Sequence, residues 1–264
     1  QKGNPFVLAN AWDLGSAKVL EALGAKAIAT SSAAHSFTLG RPDMGNVTRD
    51  EALSHSVELI AAVNVPVSGD FENGFGHDPE TCAETIRLAI ECGLVGGSIE
   101  DATGHADAPI YEMALAEERI AAAAEAAKGK PFVLTARAEN FLWDRHDLDD
   151  TIHRLQAYAA SGADVLYVPG LSDLRDIRTI CEALDRPINV VMGTVAPSFS
   201  VAELSAAGVK RISVGGSFAR AALGAMMRAA EEVLEHGTFT YGKTAASGAT
   251  LAEMMPAAKP ADRT

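Results

Sequence analysis

The chain has 264 residues, 48 % hydrophobic and 22 % charged, with 23 Gly and 11 Pro, a composition that excludes disorder, collagen and coiled coil and leaves one large α/β domain or two ordinary ones. Thirty-five acidic against 22 basic side chains give a formal charge of −13. A field of that sign repels nucleic acid and anionic lipid, so neither nucleic acid nor membrane is an expected partner, while a cation inside one pocket can still admit a small anionic substrate.

Short β-type runs alternate with longer helical stretches along the whole chain. Strands are predicted near Phe6–Asn10, Ala27–Ser31, Val67–Phe71, Gly96–Glu100, Phe132–Arg137, Val165–Val168, Ile188–Met192 and Arg211–Val214. Several follow a helix end marked by glycine, at Gly24, Gly93, Gly162 and Gly208, the position where a left-handed residue closes a helix. Eight βα units in this length predict an α/β fold of the (β/α)8 TIM-barrel type, one domain over residues 1–264 with a C-terminal helical arm from about Phe218. An open dinucleotide-binding sheet is not expected, because the first βα turn, Asn10-Ala11-Trp12-Asp13, lacks G-x-G-x-x-G, and no phosphate loop with G-K-[ST] occurs. The apolar residues of the tail, Leu251, Met254 and Met255 among them, predict an arm that packs on a neighbouring subunit or lies loose, and favour a homo-oligomer. The three cysteines, Cys82, Cys92 and Cys181, fall in predicted helices without C-x-x-C spacing. They form neither a disulfide frame nor a zinc site, and they predict a reducing, cytoplasmic setting. No apolar run reaches the roughly 18 residues of a membrane span, and Gln1–Pro5 carries no secretory core; the missing initial Met implies that a few residues precede Gln1.

In such a barrel the reacting groups sit at the carboxyl ends of the strands. After the third predicted strand comes Asp70-Phe71-Glu72-Asn73-Gly74-Phe75-Gly76, and after the fourth Ile99-Glu100-Asp101. Strand alternation aims Asp70 and Glu72 the same way, and Glu100 reaches that space from the next strand. Like charges so close need protonation, a cation or a metal, and an all-oxygen set favours Mg²⁺, with Mn²⁺ as a substitute. The glycines, Gly74 included, would let the backbone approach a ligand. Arg137, after the fifth strand, could fork onto a substrate carboxylate or phosphonate, or pair with Glu139 or Asp101. Ser31 and Ser32 offer hydroxyls after the second strand, ahead of Arg41-Pro42-Asp43. Of the histidines, His35, His77 and His105 are placed in loops on the catalytic face, and His55 and His153 on helix surfaces. No Ser-His-Asp set or nucleophile elbow is present.

This combination resembles the isocitrate lyase and phosphoenolpyruvate mutase family. The resemblance runs from Asn10 to the helix after the eighth strand. It rests on Asp70-Phe71-Glu72-Asn73-Gly74-Phe75-Gly76 for the family's D-x-D-x-G-[FY]-G, with Glu for the second Asp, on Ile99-Glu100-Asp101 for I-E-D, on Arg137 in Thr135-Ala136-Arg137, and on Pro42-Asp43. It implies Asp70, Glu72 and Glu100 around Mg²⁺ directly or through water, with Asp43 near the water shell. It also implies Ser31, Ser32 and Arg137 at the carboxylate end of a 2-oxo acid, Asn189 as a family asparagine after the seventh strand, and a tetramer exchanging its last helix. The segment Asp101–Tyr111 lacks the K-K-C-G-H of the family's isocitrate and methylisocitrate lyases, so those two reactions are not expected and the subgroup is unassigned.

The implied activity is Mg²⁺-dependent making or breaking of a C–C or P–C bond in a small 2-oxo or 2-hydroxy carboxylate, through a metal-bound enolate. His105 or Tyr111 would supply a proton. Two alternatives belong to other classes: a non-catalytic carboxylate-binding barrel, and Mg-dependent phosphoryl transfer or phosphate-ester hydrolysis with Gly215-Gly216 as the phosphate cradle.

Overall fold

The computed structural model describes residues 5–194 and 197–255, and the readings made of residues 1–4 and 256–264 lie outside them. Parallel strands close a barrel in sequential order: β1 (Phe6–Asn10), β2 (Ile28–Ala29), β3 (Val67–Asp70), β4 (Gly96–Glu100), β5 (Val133–Arg137), β6 (Val165–Tyr167), β7 (Ile188–Val191) and β8 (Arg211–Ser213). Outside it lie α1 (Leu14–Ala22), α2 (Ser32–Thr38), α3 (Arg49–Ala62), α4 (Pro79–Glu91), α5 (Met113–Ala127), α6 (Leu148–Ala160), α7 (Leu174–Ala183) and α8 (Val201–Ala206). The eight-stranded barrel is the architecture that the alternating pattern predicts. Several strands end a residue or two early, because the residues beyond already serve the loops: Ser31 caps α2, its hydroxyl accepting from Ala34 N at 3.3 Å.

The helix-closing glycines are where the sequence puts them. Gly162 and Gly208 have φ of 108° and 103°, values that any side chain would strain. Buried apolar residues of the strands and of the inner helix faces, such as Ile86, Ile99, Ile120, Leu134, Leu155, Leu166 and Ile177, form one continuous core. Each contributes roughly 1.5–3 kcal/mol relative to exposure. Gly69 and Gly97 make room in it: a Cβ on either would lie within 3 Å of the Phe71 ring.

Register fixes what the barrel interior presents. Glu100 pairs with Arg137, Arg137 with Tyr167, Tyr167 with Asn189 and Asn189 with Arg211. Residues paired in register point to the same face. The ladder runs from the last residue of β4 to the first of β8, following the stagger of a closed barrel, so Glu100 and Arg137 stand at the mouth and Arg211 enters from the opposite end.

The arm begins with α9 (Ser217–Glu231), continues through a π-type turn over Glu232–His236 and ends in α10 (Gly248–Met254). Its last turn folds back onto α1, with Met255 Cε 3.5 Å from the point a Cβ on Gly15 would occupy. Phe218, Leu223, Met226 and Met227 of α9 stay exposed. Among the described residues no helix is long and apolar enough to cross a membrane.

Candidate active site

Asp70 ends β3 and is the most connected acid of the mouth. Its Oδ2 accepts from the Ser32 backbone N and hydroxyl, each at 3.0 Å, and its Oδ1 from the Ser98 hydroxyl at 3.2 Å and Arg137 at 3.1 Å. Glu72 reaches the same space, though not by strand alternation. The ladder stops before Phe71, and Glu72 adopts a left-handed φ of 46°; its carbonyl accepts from Glu100 N at 2.9 Å, which ties the turn to the end of β4. A non-glycine residue held there marks a site whose surroundings impose the conformation. Glu72 Oε2 accepts from Gly45 N at 3.0 Å, while its buried Oε1 has no hydrogen-bond partner.

Arg137 is the cation of this cluster. It lies 3.1 Å from Asp70, 3.1 Å from Glu100 and 2.9 Å from Glu139, with its guanidinium 4.9 Å above the Tyr167 ring. The guanidinium has five N–H donors, and these contacts leave one for a substrate oxygen. Of the two readings of Arg137, pairing with Glu139 is present, and the remaining N–H would serve a substrate oxygen singly rather than as a fork. Asp101 is not a partner: it accepts from Arg154 at 3.3 Å and Tyr158 at 2.6 Å, and orients the Glu139 backbone N at 2.8 Å.

The acids outnumber this cation, and their protonation reflects it. Burial, then the Asp70 charge, pushes Glu72 up to about 7. Burial raises Asp43, with Asp70 adding to the effect. Glu100 rises well above the carboxylate range through burial, which Arg137 opposes and Glu139, Asp70 and Glu72 reinforce. All three line one cavity of about 1040 Å³, together with Ser32, Arg137, Glu139, His77 and His105; Val47, Phe75 and Trp143 supply apolar wall.

Other expected residues lie elsewhere. Ser31 is engaged as the α2 cap. Gly74 faces α4, since a Cβ there would meet Cys82 Sγ at 2.8 Å; its absence of side chain serves packing and not ligand approach. Asn189 is the second residue of β7, inside the barrel, where its Oδ1 accepts from Arg211 at 2.9 Å and its Nδ2 donates to Ser213 at 3.0 Å. It lies within β7, as the predicted strand Ile188–Met192 has it, and not after the strand, where the family resemblance would put it. His35 belongs to α2 and not to a loop, and His55 is buried on the inner face of α3. Their rings stack at 3.9 Å, with His55 Nε2 3.0 Å from the Trp12 carbonyl. The Gly215 turn directs its donors inward: Asn10 Oδ1 accepts from Val214 N at 3.0 Å and Gly215 N at 2.8 Å. That leaves the phosphate-cradle alternative without these two N–H groups.

Sequence reasoning passed over Glu139 as a site acid, Tyr167, Arg211 and the contact between His77 and Tyr111. The signal for Glu139 was its place just after Arg137 beyond the end of β5, where a short turn can bring an acid back to the guanidinium. Arg119 gave no signal. It is fully buried in α5 and donates to the carbonyls of Gly76 at 2.7 Å, His77 at 2.6 Å and Asn73, fixing the loop that carries Glu72.

A divalent cation can be tested against this donor set. Among the described residues no three of His, Cys, Asp and Glu converge closely enough to cage an ion directly. Crowded carboxylates raised by burial and then by their neighbours' charge, with Glu72 Oε1 buried and unpartnered, fit an ion that keeps most of its water and takes one or two protein oxygens. That is the habit of Mg²⁺.

Comparison with known proteins decides the family. The family model described as phosphoenolpyruvate phosphomutase matches residues 1–234. This chain belongs to the isocitrate lyase/phosphoenolpyruvate mutase superfamily. A solved structure of a candidate lyase/mutase from Burkholderia cenocepacia J2315 is 52 % identical, with TM-score 0.94 over 97 % of this chain and 92 % of that one. A candidate phosphonomutase from the same organism is 36 % identical, with TM-score 0.78 over 89 % and 93 %. The 2-methylisocitrate lyase of Escherichia coli K12 is 29 % identical across 88 % of this chain and 79 % of its own. The superfamily joins lyases and mutases, which supports an enzyme and leaves the subgroup open.

Proposed function

We propose that this protein is a Mg²⁺-dependent enzyme, with Mn²⁺ able to substitute, that makes or breaks a C–C or P–C bond in a small 2-oxo or 2-hydroxy carboxylate through an enolate. The observation that carries this reading is the convergence of Asp43, Asp70, Glu72 and Glu100 about Arg137 at the mouth of β2 to β5. Asp70, Glu72 and Glu100 would hold the ion, directly or through water, with Asp43 beside its water shell. When bound, the ion supplies Lewis-acid stabilisation of negative charge on a keto oxygen, an effect of several kcal/mol. Arg137 balances the acids and offers its remaining N–H to the substrate, and Ser32 positions Asp70. Phe75, Val47 and Trp143 exclude water from one wall, which strengthens every charge interaction inside. His105, on the Thr103–Pro109 turn closed by the Ala102–Ile110 bridge, stands at the rim. The exposed apolar face of α9 supports a homo-oligomer.

Thermal shift of metal-free protein with Mg²⁺ and oxalate, separately and together, tests this reading, since planar oxalate mimics an enolpyruvate. The expected result is a joint shift well beyond the sum of the two, lost in Glu100→Gln. No shift in folded wild-type protein overturns it.

A further inference from the structure

Beside the acids, the same cavity is lined by His77 and His105, whose rings stack at 5.5 Å. Of the two, His77 has a polar partner behind it. Its Nδ1 lies 2.7 Å from the hydroxyl of Tyr111, a residue 5 % exposed.

The surrounding bonds fix which atom carries the proton. Asn73 Oδ1 accepts from Phe75 N at 3.1 Å, so the Asn73 group that meets the Tyr111 oxygen at 3.3 Å is its amide nitrogen, a donor. The phenol oxygen is an acceptor there, and its own proton, buried, needs an acceptor in turn. His77 Nδ1 fills that part, which leaves neutral His77 with its proton on Nε2, at the ring edge away from Tyr111. Arg119 lies 4.1 Å over the Tyr111 ring and also bonds the His77 backbone carbonyl at 2.6 Å, so one cation fixes the phenol ring and the backbone that carries the imidazole. His105 is fixed otherwise, by its backbone N on Thr103 Oγ1 at 2.9 Å.

We infer that His77 delivers the proton that quenches the enolate at C3, with Tyr111 as the reservoir behind it; this rests on the enolate reading above. The C2–C3 π pair takes the Nε2 proton of His77, and the enolate oxygen pair re-forms the C2 carbonyl. The N–H pair stays on Nε2 while Nδ1 takes the Tyr111 proton, leaving a phenolate that accepts from Asn73 Nδ2 and faces the Arg119 cation. Water re-protonates the pair through exposed His77 once product leaves.

The test is Mg²⁺-dependent exchange of the methyl protons of pyruvate in D₂O, followed by ¹H NMR, which reads C3 proton transfer without any bond cleavage. Wild type should exchange. His77→Ala should lose about 100-fold or more, the scale of general acid–base catalysis, and free imidazole should restore part of it; Tyr111→Phe should lose about tenfold. Wild-type rates in His77→Ala or in Tyr111→Phe overturn the relay and leave the enolate reading standing, and so does a loss that imidazole does not restore. No exchange by a wild-type protein that shows the joint Mg²⁺ and oxalate shift likewise overturns the relay alone. No exchange and no shift remove both.

Discussion

Two arginines enter the same barrel and are treated in opposite ways. Arg137, at the mouth, stands among Asp70, Glu100 and Glu139, and these carboxylates hold its guanidinium well above the ordinary range against the pull of burial. Arg211, at the other end of the same ladder, bonds to Asn189 Oδ1 and to Thr135 Oγ1, both at 2.9 Å, and burial among neutral partners brings it down to about 10. The β2 to β5 side of the mouth is thus a charged cluster with acids in excess. The interior toward β7 and β8 is a hydrogen-bonded network in which one cation, Arg211, is met by neutral groups. Only the first holds an excess of buried carboxylates that a cation would relieve.

The largest expected effect tests that contrast directly. Arg137→Met leaves three buried carboxylates without their cation and should destabilise the metal-free protein at pH 7 by about 3–5 kcal/mol. Arg211→Met removes a cation that has no anion and leaves only an amide and a hydroxyl unpaired, which should amount to about 1–2 kcal/mol. Urea unfolding of both variants measures the difference. Equal losses would mean that the two arginines are equivalent packing elements and that the charge cluster does not organise the mouth.

The same contrast explains what could be read in the sequence. The barrel was legible because its signals are local and repeated: glycine-closed helix ends and short β runs need no knowledge of distant contacts. Asp70 and Glu100 were legible because both end strands. Glu72 was placed near them for a reason that does not hold, since a left-handed turn, and not strand alternation, carries its side chain there. Asn189 shows the limit most clearly. Whether a residue in β7 faces the cavity or the interior depends on the stagger between strands, which a one-dimensional pattern does not contain. The histidines fail similarly: His35 becomes helical because α2 starts at Ser32, and His55 is buried because the wall it faces comes from Trp12, 43 residues earlier.

Acid titration separates the two kinds of polar burial. Desolvation, then repulsion from His35, lowers His55 from 6.5 to about 4. As pH falls below 6.5 the unfolded chain takes up a proton that the native state refuses, so this part of stability is complete above 6.5 and is lost toward pH 4, at most about 3 kcal/mol. Glu72, raised from 4.5 to about 7, acts in the other sense: the native metal-free protein holds the extra proton, and stability falls as pH rises through that window. His55→Gln keeps a donor for the Trp12 carbonyl and removes the first slope. Its unfolding free energy in EDTA should therefore fall from pH 5 to pH 7, while wild type shows a flatter profile from the two opposed contributions. A variant profile that rises over that range would show that the acids of the mouth are not held protonated.

The smallest expected effect locates the boundary between the two regions. α3 and α8 both begin with a capping box, Thr48 with Glu51 and Ser200 with Glu203, and replacing either cap by Ala should remove about 1 kcal/mol of stability. Their neighbours differ. Thr48 lines the cavity beside Asp43 and Gly45, and Glu51 also binds Arg41, which holds the Asn46 carbonyl at 3.0 Å, so this cap steadies the loop whose Gly45 N–H meets Glu72. Thr48→Ala should accordingly reduce the joint thermal shift with Mg²⁺ and oxalate, whereas Ser200→Ala should lower the melting temperature and leave that joint shift intact. If both variants lose it alike, control of the mouth extends around the whole rim, and the β2 to β5 side has no special claim on the ligand.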